Sequence, residues 1–243
     1  VFLTGGLGGG TGTGSLPVIA KLAKERGALT IAIVTLPFKN EGARRSRNAH
    51  LGLERLRKSA DTVIVIPNDK LLQDEIMNLP LNLAFRQADE ILGNAIKCMT
   101  EITSQGGLVN IDFADMRSIM DGGGVAMIGM GEGQGQNRAS DAVIAALTSP
   151  LLEIDIGESE GALVNVTGGD DMTLQEAHEV VKEVHSKINK DARIIWGASI
   201  DSTLEHQIRV MLVVTGVKSP QILGPPSGVD DELQSRYGIE FVQ

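Results

Sequence analysis

The chain has 243 residues, 42 % hydrophobic and 22 % charged, and 31 acids against 22 bases give it a formal charge of −9. This is the composition of a globular protein of one large or two modest domains, and its acidity argues against nucleic acid as a partner, because neutralising phosphates needs a basic face. The single cysteine excludes an internal disulfide, the four histidines show no metal-ligand spacing, and direct membrane insertion is not expected because no apolar run reaches ~18 residues.

The first part of the chain alternates strand and helix. Residues 1–4 read as a buried strand, so a region upstream of Val1 is expected. The run Gly8-Gly9-Gly10-Thr11-Gly12-Thr13-Gly14 follows, then a helix over 15–26 with Pro17 near its start and Gly27 closing it. Residues 29–35 form a continuous apolar run, as in a buried parallel strand, and Pro37 ends it. A helix with a basic outer face is expected over 41–59, and a buried strand over 62–66, ended by Pro67. Apolar residues then recur at helical spacing over 81–103, which predicts a long helix packed between two domains, with Cys98 on its apolar stripe.

The second part is mixed. A short helix is expected over 112–121, a strand over 125–129, a glycine-rich loop over 132–136 and an amphipathic helix over 138–147. Strands follow at 162–167, 192–198 and 208–215, with a helix opened by the capping box Thr173-Leu174-Gln175-Glu176 between the first two. Aromatics are only 3 %, so the core must rest on aliphatic residues and Met.

Five segments carry chemistry. Strand, glycine turn and helix in that order read either as a flexible glycine turn without a ligand or as a phosphate cradle, in which glycines turn backbone N–H groups inward and the helix N-terminus adds partial positive charge. Thr11 and Thr13 supply hydroxyls. No Lys-Ser or Lys-Thr follows, so it is not a Walker loop. Glu41 and Arg45 are spaced to share a helical face; they read either as an exposed ion pair or as ribose and phosphate ligands. Asn68, after the third strand, is either turn chemistry or a sugar or base contact. Phe85 and Asp89, four apart, are either a core ring beside a surface acid or a guanine pocket, the ring stacking and the carboxylate accepting from N1–H and the amino group. In Asn110-Ile111-Asp112-Phe113-Ala114-Asp115, capping explains one acid at the helix start, whereas two could orient a water or bind a cation.

These segments resemble the FtsZ branch of the tubulin/FtsZ superfamily. The resemblance rests on the glycine run, on Pro37-Phe38-Lys39-Asn40-Glu41-Gly42-Ala43-Arg44-Arg45, on Ile66-Pro67-Asn68-Asp69, on Phe85 with Asp89, and on Asn110 to Asp115. The blocks beginning at Ser149-Pro150 and Gly161-Ala162 are also similar and read as structural. The family's earlier loop Gly-x-Gly-Gly-Gly-x-Asn does not occur in the chain, and Leu36 hints at an archaeal member.

The resemblance implies an α/β fold: a partial doubly wound, Rossmann-like GTP-binding domain, a long central helix and a second mixed α/β domain. The expected divisions are 1–80, 81–105 and 106–229, with a tail at 230–243. It implies GTP/GDP binding with Mg²⁺ on the phosphates. Gly9, Gly10, Thr11, Gly12, Thr13 and Gly14 would hold phosphate; Glu41, Arg45, Asn68, Phe85 and Asp89 would hold sugar and base. Asn110, Asp112 and Asp115 would complete the site of a neighbouring copy. It further implies head-to-tail filaments, membrane-tethering and division proteins as partners, and a cytoplasmic division site. The rivals are a tubulin-like GTPase of cell shape, a dinucleotide oxidoreductase, disfavoured because residues 30–36 carry no ribose-binding acid, and a fragment inert alone.

Overall fold

A computed structural model describes residues 1–71, 81–104, 108–152 and 156–217. The expected tail at 230–243, the glycine pair ending the long helix and the side chain of Phe85 lie outside the described residues.

In chain order the elements are β1 (Phe2–Gly6), α1 (Thr11–Glu25), β2 (Ile31–Leu36), α2 (Ala43–Ser59), β3 (Thr62–Pro67), α3 (Leu81–Ser104), α4 (Phe113–Met120), β4 (Gly124–Gln134), α5 (Arg138–Leu147), β5 (Gly161–Gly168), α6 (Leu174–Lys187), β6 (Arg193–Ile200) and β7 (Gln207–Thr215). The strands form one sheet in the order β1-β2-β3-β4-β7-β5-β6. The pairs β1–β2, β2–β3 and β3–β4 are parallel, and only β7 runs against its neighbours.

Side-chain alternation along the strands divides the core between two faces. Ala32, Val34, Val63 and Val65 point to the face covered by α1, α2, α5 and α6. Ile31, Ile33, Ile64 and Ile66 point to the other, which α3 and α4 cover through Ala95, Cys98, Met99, Ile102, Met116 and Met120. With both faces covered, β2 and β3 are apolar along their middles, Ile31–Val34 and Val63–Ile66, and burying each such aliphatic side chain is worth ~1.5–3 kcal/mol. The second half of the long helix shares one buried cluster with both parts of a continuous sheet: Ile64 and Ile66 on one side, Ile128, Leu163 and Met211 on the other.

Three local expectations are corrected. Helix α1 begins at Thr11, so Pro17 falls in its second turn, buried, where it withholds one ladder hydrogen bond. Residues 132–134 are not loop but the end of β4. Alternate glycines of β4 stand where a helix crosses: a Cβ on Gly129, Gly131 or Gly133 would collide with backbone of α5 at Ala146, Ala142 or Arg138. Alternating glycine that looks like loop is here a groove for close helix packing. Helix α2 begins at Ala43, after a 3₁₀ turn Lys39–Glu41 and Gly42 at φ 98, so Glu41 is outside it.

Helix α6 opens with the expected capping box: Glu176 N–H donates to Thr173 Oγ1 at 3.2 Å, and Thr173 N–H to Glu176 Oε2 at 2.8 Å. Its Glu176 also receives Arg138 Nε at 2.6 Å, and Asp171 receives Arg138 Nη1 at 2.7 Å. Arg138 is 6 % exposed, a buried cation pinning α5 to the start of α6. The Arg138 hydrogen bond holds the Glu176 carboxyl down at about 2, and Arg138 followed by His206 lowers Asp171.

Candidate nucleotide site

The parallel strands β1, β2 and β3 end side by side, and each hands over to one of the candidate segments. The segments are tied together by two bonds from backbone N–H groups, one to a carbonyl and one to a side-chain carboxylate: Leu7 N–H donates to Thr35 O at 2.9 Å, and Lys39 N–H to Asp69 Oδ1 at 2.9 Å. Asp69, unmarked in the sequence except as a turn residue, links the second and third loops. Gly8, at φ 106, lies against Arg45 backbone and the Pro37 ring, a conformation and a space that glycine fits. The C-terminal edge of a parallel sheet is where ligands of open α/β sheets collect.

The glycine run is part loop and part helix. Gly10 is the N-cap of α1, without a side-chain cap and without an acid in the first turn. The first-turn amides are therefore open to an anion, with no competing carboxylate. Gly9 and Gly10 are exposed, and a Cβ on either would meet nothing within 4 Å. Gly12 is different, since a Cβ there would strike the Gly6 carbonyl. Gly14 N–H is engaged by Gly10 O at 3.1 Å, so the available amides lie N-terminal to it. Thr13 Oγ1 accepts from Gly8 N–H at 2.9 Å, which bridges the loop and leaves its hydroxyl proton to donate. Thr11 is exposed at the helix start.

Glu41 and Arg45 do pair, although not along one helix: Arg45 Nη1 bonds Glu41 Oε2 across the Gly42 break. Glu41 Oε1 also accepts from Phe38 N–H at 2.9 Å, which fixes its carboxylate at the loop. Asn68 is 9 % exposed, and its Oδ1 is buried without a hydrogen-bond partner. A buried carbonyl oxygen left unmatched costs ~1–3 kcal/mol and invites a donor from a ligand. Asp89 is exposed on the first half of α3. Among the described residues no group of three or more His, Cys, Asp or Glu is placed to hold a metal.

The acid-bearing block is elsewhere. Asp112 is the N-cap of α4, its Oδ1 accepting from Asp115 N–H at 2.7 Å. Arg117 of the same helix reaches Gly27 O, ahead of β2, at 3.3 Å, and Thr62 Oγ1, opening β3, bonds Met120 O. So α4 is anchored at the N-terminal ends of the strands whose C-terminal ends carry the cradle. Its approach is fixed by Val109, which exchanges hydrogen bonds of 3.2 and 3.1 Å with Ala198 of β6. Asp112 and Asp115 are both exposed.

A half-parallel α/β sheet with a glycine cradle on its first helix and a long helix spanning its second face defines the tubulin/FtsZ class. Residues 1–75 match the Tubulin/FtsZ family GTPase domain, and residues 124–218 match the C-terminal domain of the FtsZ family. The chain belongs to the FtsZ family. It is 57 % identical to "Cell division protein FtsZ 1" of Archaeoglobus fulgidus over all of this chain and 65 % of that relative, and 54 % identical to "Cell division protein FtsZ" of Haloferax mediterranei over 64 % of it. A solved FtsZ dimer of M. jannaschii superposes with a TM-score of 0.86 at 55 % identity, covering 89 % of this chain and 63 % of that one. CetZ1 of Haloferax volcanii shares the fold, at a TM-score of 0.78 and 21 % identity. The chain thus spans slightly less than two thirds of the length of these FtsZ relatives.

Proposed function

We propose that this chain is the greater part of a GTPase that assembles head to tail into filaments of the cell division ring. The observation that carries the reading is the separation of two half-sites by the length of the parallel strands: an open, uncapped cradle at one end and an exposed acid pair at the other. In a head-to-tail stack the acid end of one copy meets the cradle end of the next.

In this reading the amides of Gly9, Gly10, Thr11 and Gly12 and the Thr11 and Thr13 hydroxyls bind the phosphates; Gly14 contributes through helix geometry. Glu41 orients ribose hydroxyls, Arg45 faces phosphate, Asn68 offers its unmatched oxygen to sugar or base, and Phe85 and Asp89 select guanine. GTP would supply the phosphoryl group when bound, and Mg²⁺ accompanying it would neutralise the charge of the phosphates. Asp112 and Asp115, oriented by the start of α4, polarise the attacking water in the neighbour's site, with Asn110 beside them. A carboxylate kept permanently beside a triphosphate would be repelled, so delivery on assembly favours hydrolysis only within the filament. The divisions at 81–105 between two domains, action at a cytoplasmic division site and contact with tethering and division proteins belong to the same proposal. Archaeal relatives named for cell division support it over a role in cell shape.

The test is complementation in the full-length protein. Asp115→Ala removes the acid; Gly10→Arg fills the cradle, and Gly10 has room for a side chain where Gly12 has none. Each variant alone should hydrolyse GTP poorly, and a mixture should regain activity wherever an intact Asp115 meets an intact cradle. A mixture no more active than its parts, although both variants co-assemble, would refute delivery in trans.

A further inference from the structure

Helix α2 carries a charge pattern that the nucleotide site leaves unexplained. Six bases and one acid give this 17-residue helix +5 in a chain of −9, which leaves −14 on everything else. Arg44, Arg47, Arg55 and Lys58 are exposed, and with Leu51 they follow one another at spacings of three and four, a single stripe along the helix. The opposite face, Ala49, Gly52, Leu53 and Leu56, is buried. Among the described residues only Arg45 of this helix has a carboxylate partner, and it belongs to the nucleotide site. A row of like charges on one helix face is self-repelling, and among the described residues no carboxylate pairs with Arg44, Arg47, Arg55 or Lys58.

The complementary surface is at the far end of the sheet. Helix α2 lies over β1 to β3, whereas β5 and β6 close the other edge. There the turns after β5 and β6 gather Asp170, Asp171, Asp201 and Glu205. The gathering is rigid: Asp201 N–H bonds Gly168 O at 2.9 Å, His206 Nδ1 meets Asp171 Oδ2 at 2.9 Å, and Arg138 pins Asp171 from beneath. Asp201 also meets Lys97 Nζ at 3.8 Å and Asp171 is paired with Arg138, so the acids that this flank presents without a cation among the described residues are Asp170 and Glu205.

We propose that the α2 stripe docks a second copy of this chain through its acidic β5–β6 turns, side to side. A nucleic acid or an anionic membrane would meet the stripe together with a surface carrying −14, whereas a second copy presents the acids locally, opposite the stripe. The contact is heterologous, because the two patches differ, so it does not close into a dimer and propagates as an open row. It goes beyond the end-to-end reading and is distinct from it: filaments formed end to end would bundle through this flank.

The experiment uses the full-length protein and two variants with equal change in net charge. R47E/K58E reverses the stripe, and K182E/K187E places the same change on exposed residues of α6. Bundles are followed by low-speed sedimentation and electron microscopy, and pairwise attraction without nucleotide by the second virial coefficient. Bundling should be present at about 0.05 M salt and lost by about 0.5 M, where the screening length is on the order of 4 Å. R47E/K58E should lose bundling and attraction while keeping single filaments and GTP turnover; K182E/K187E should keep all of them. Adding D170K/E205K to R47E/K58E should restore the contact by swapping its charges. Equal behaviour of the two variants, or no restoration by the swap, would overturn the proposal. Absence of filaments in the wild type would instead refute the end-to-end reading, and the virial coefficient would still decide this one.

Discussion

Asp112 has two candidate occupations, capping α4 and polarising a water, and substitution can separate them. Its Oδ1 accepts from Asp115 N–H at 2.7 Å, so Asp112→Ala removes a helix cap, a loss of about 1 kcal/mol. Asn caps about as well as Asp, so Asp112→Asn should leave stability within a few tenths of a kcal/mol. Asp115 carries the capped amide rather than the capping oxygen, and its side chain is exposed; Asp115→Ala loses only the favourable charge in the first turn, ~0.3–1 kcal/mol. Catalysis makes a different demand. If both carboxylates act on the water, Asp112→Asn and Asp115→Ala should each lower GTP turnover by roughly 10²-fold, about 3 kcal/mol of transition-state stabilisation. GTP binding and filament assembly should persist, and filaments should last longer. The assay pairs urea unfolding midpoints with turnover measured above the assembly concentration. A stable Asp112→Asn that hydrolyses GTP normally would leave Asp112 a cap and nothing more.

Three further outcomes are expected. Gly131→Ala should destabilise by ~1–3 kcal/mol, because its Cβ would enter the α5 backbone at Ala142, whereas Gly14→Ala, with nothing within 4 Å, should stabilise by ~0.5–1 kcal/mol; equal unfolding midpoints would refute the glycine groove. Asp89→Asn should weaken GTP and favour xanthosine triphosphate, whose 2-oxo group accepts from the amide; an unchanged preference in competition binding would remove Asp89 from the base pocket. Glu176, held at about 2 against an ordinary 4.5, contributes stability that is complete above pH 4.5 and is lost as pH falls toward 2. Arg138→Met should flatten that acid limb, read as the urea midpoint against pH, and an unaltered limb would assign it to other carboxylates.

Most of the strands and helices were legible because burial on both faces leaves a plain mark: β2 and β3 carry unbroken apolar runs of four residues, and α3 repeats its stripe for 24 residues. The capping box of α6 was legible for the same reason, a local pattern with a local cause. What failed depended on a partner distant in sequence. Gly133 read as loop because glycine marks absence of a side chain without saying what fills the space. Arg138 read as the polar start of an amphipathic helix, and only the arrival of Asp171 and Glu176 more than thirty residues later makes it a buried cation. At the candidate site, residue types and order were readable, but Gly42 and its positive φ were not, so Glu41 was given to the wrong element although its pairing with Arg45 was anticipated.

The separation of the two half-sites follows from strand direction and needs no flexible device. A six-residue strand rises about 3.3 Å per residue, so roughly 20 Å divides its two ends. Helix α1 spans that length in one rigid piece, from the open amides at Thr11 to Gly27, whose carbonyl receives Arg117. Neither loop closure nor side-chain rotation covers such a distance, because Asp112 is fixed as a cap and Val109 is bonded to β6. If the acid pair acts on a nucleotide in the cradle at all, it must act on another copy's nucleotide. That copy must be stacked along the strand direction, and the same operation repeats at every subunit. A filament is then the geometric condition for a complete site, which is why Asp115→Ala mixed with Gly10→Arg tests the enzyme and the polymer together.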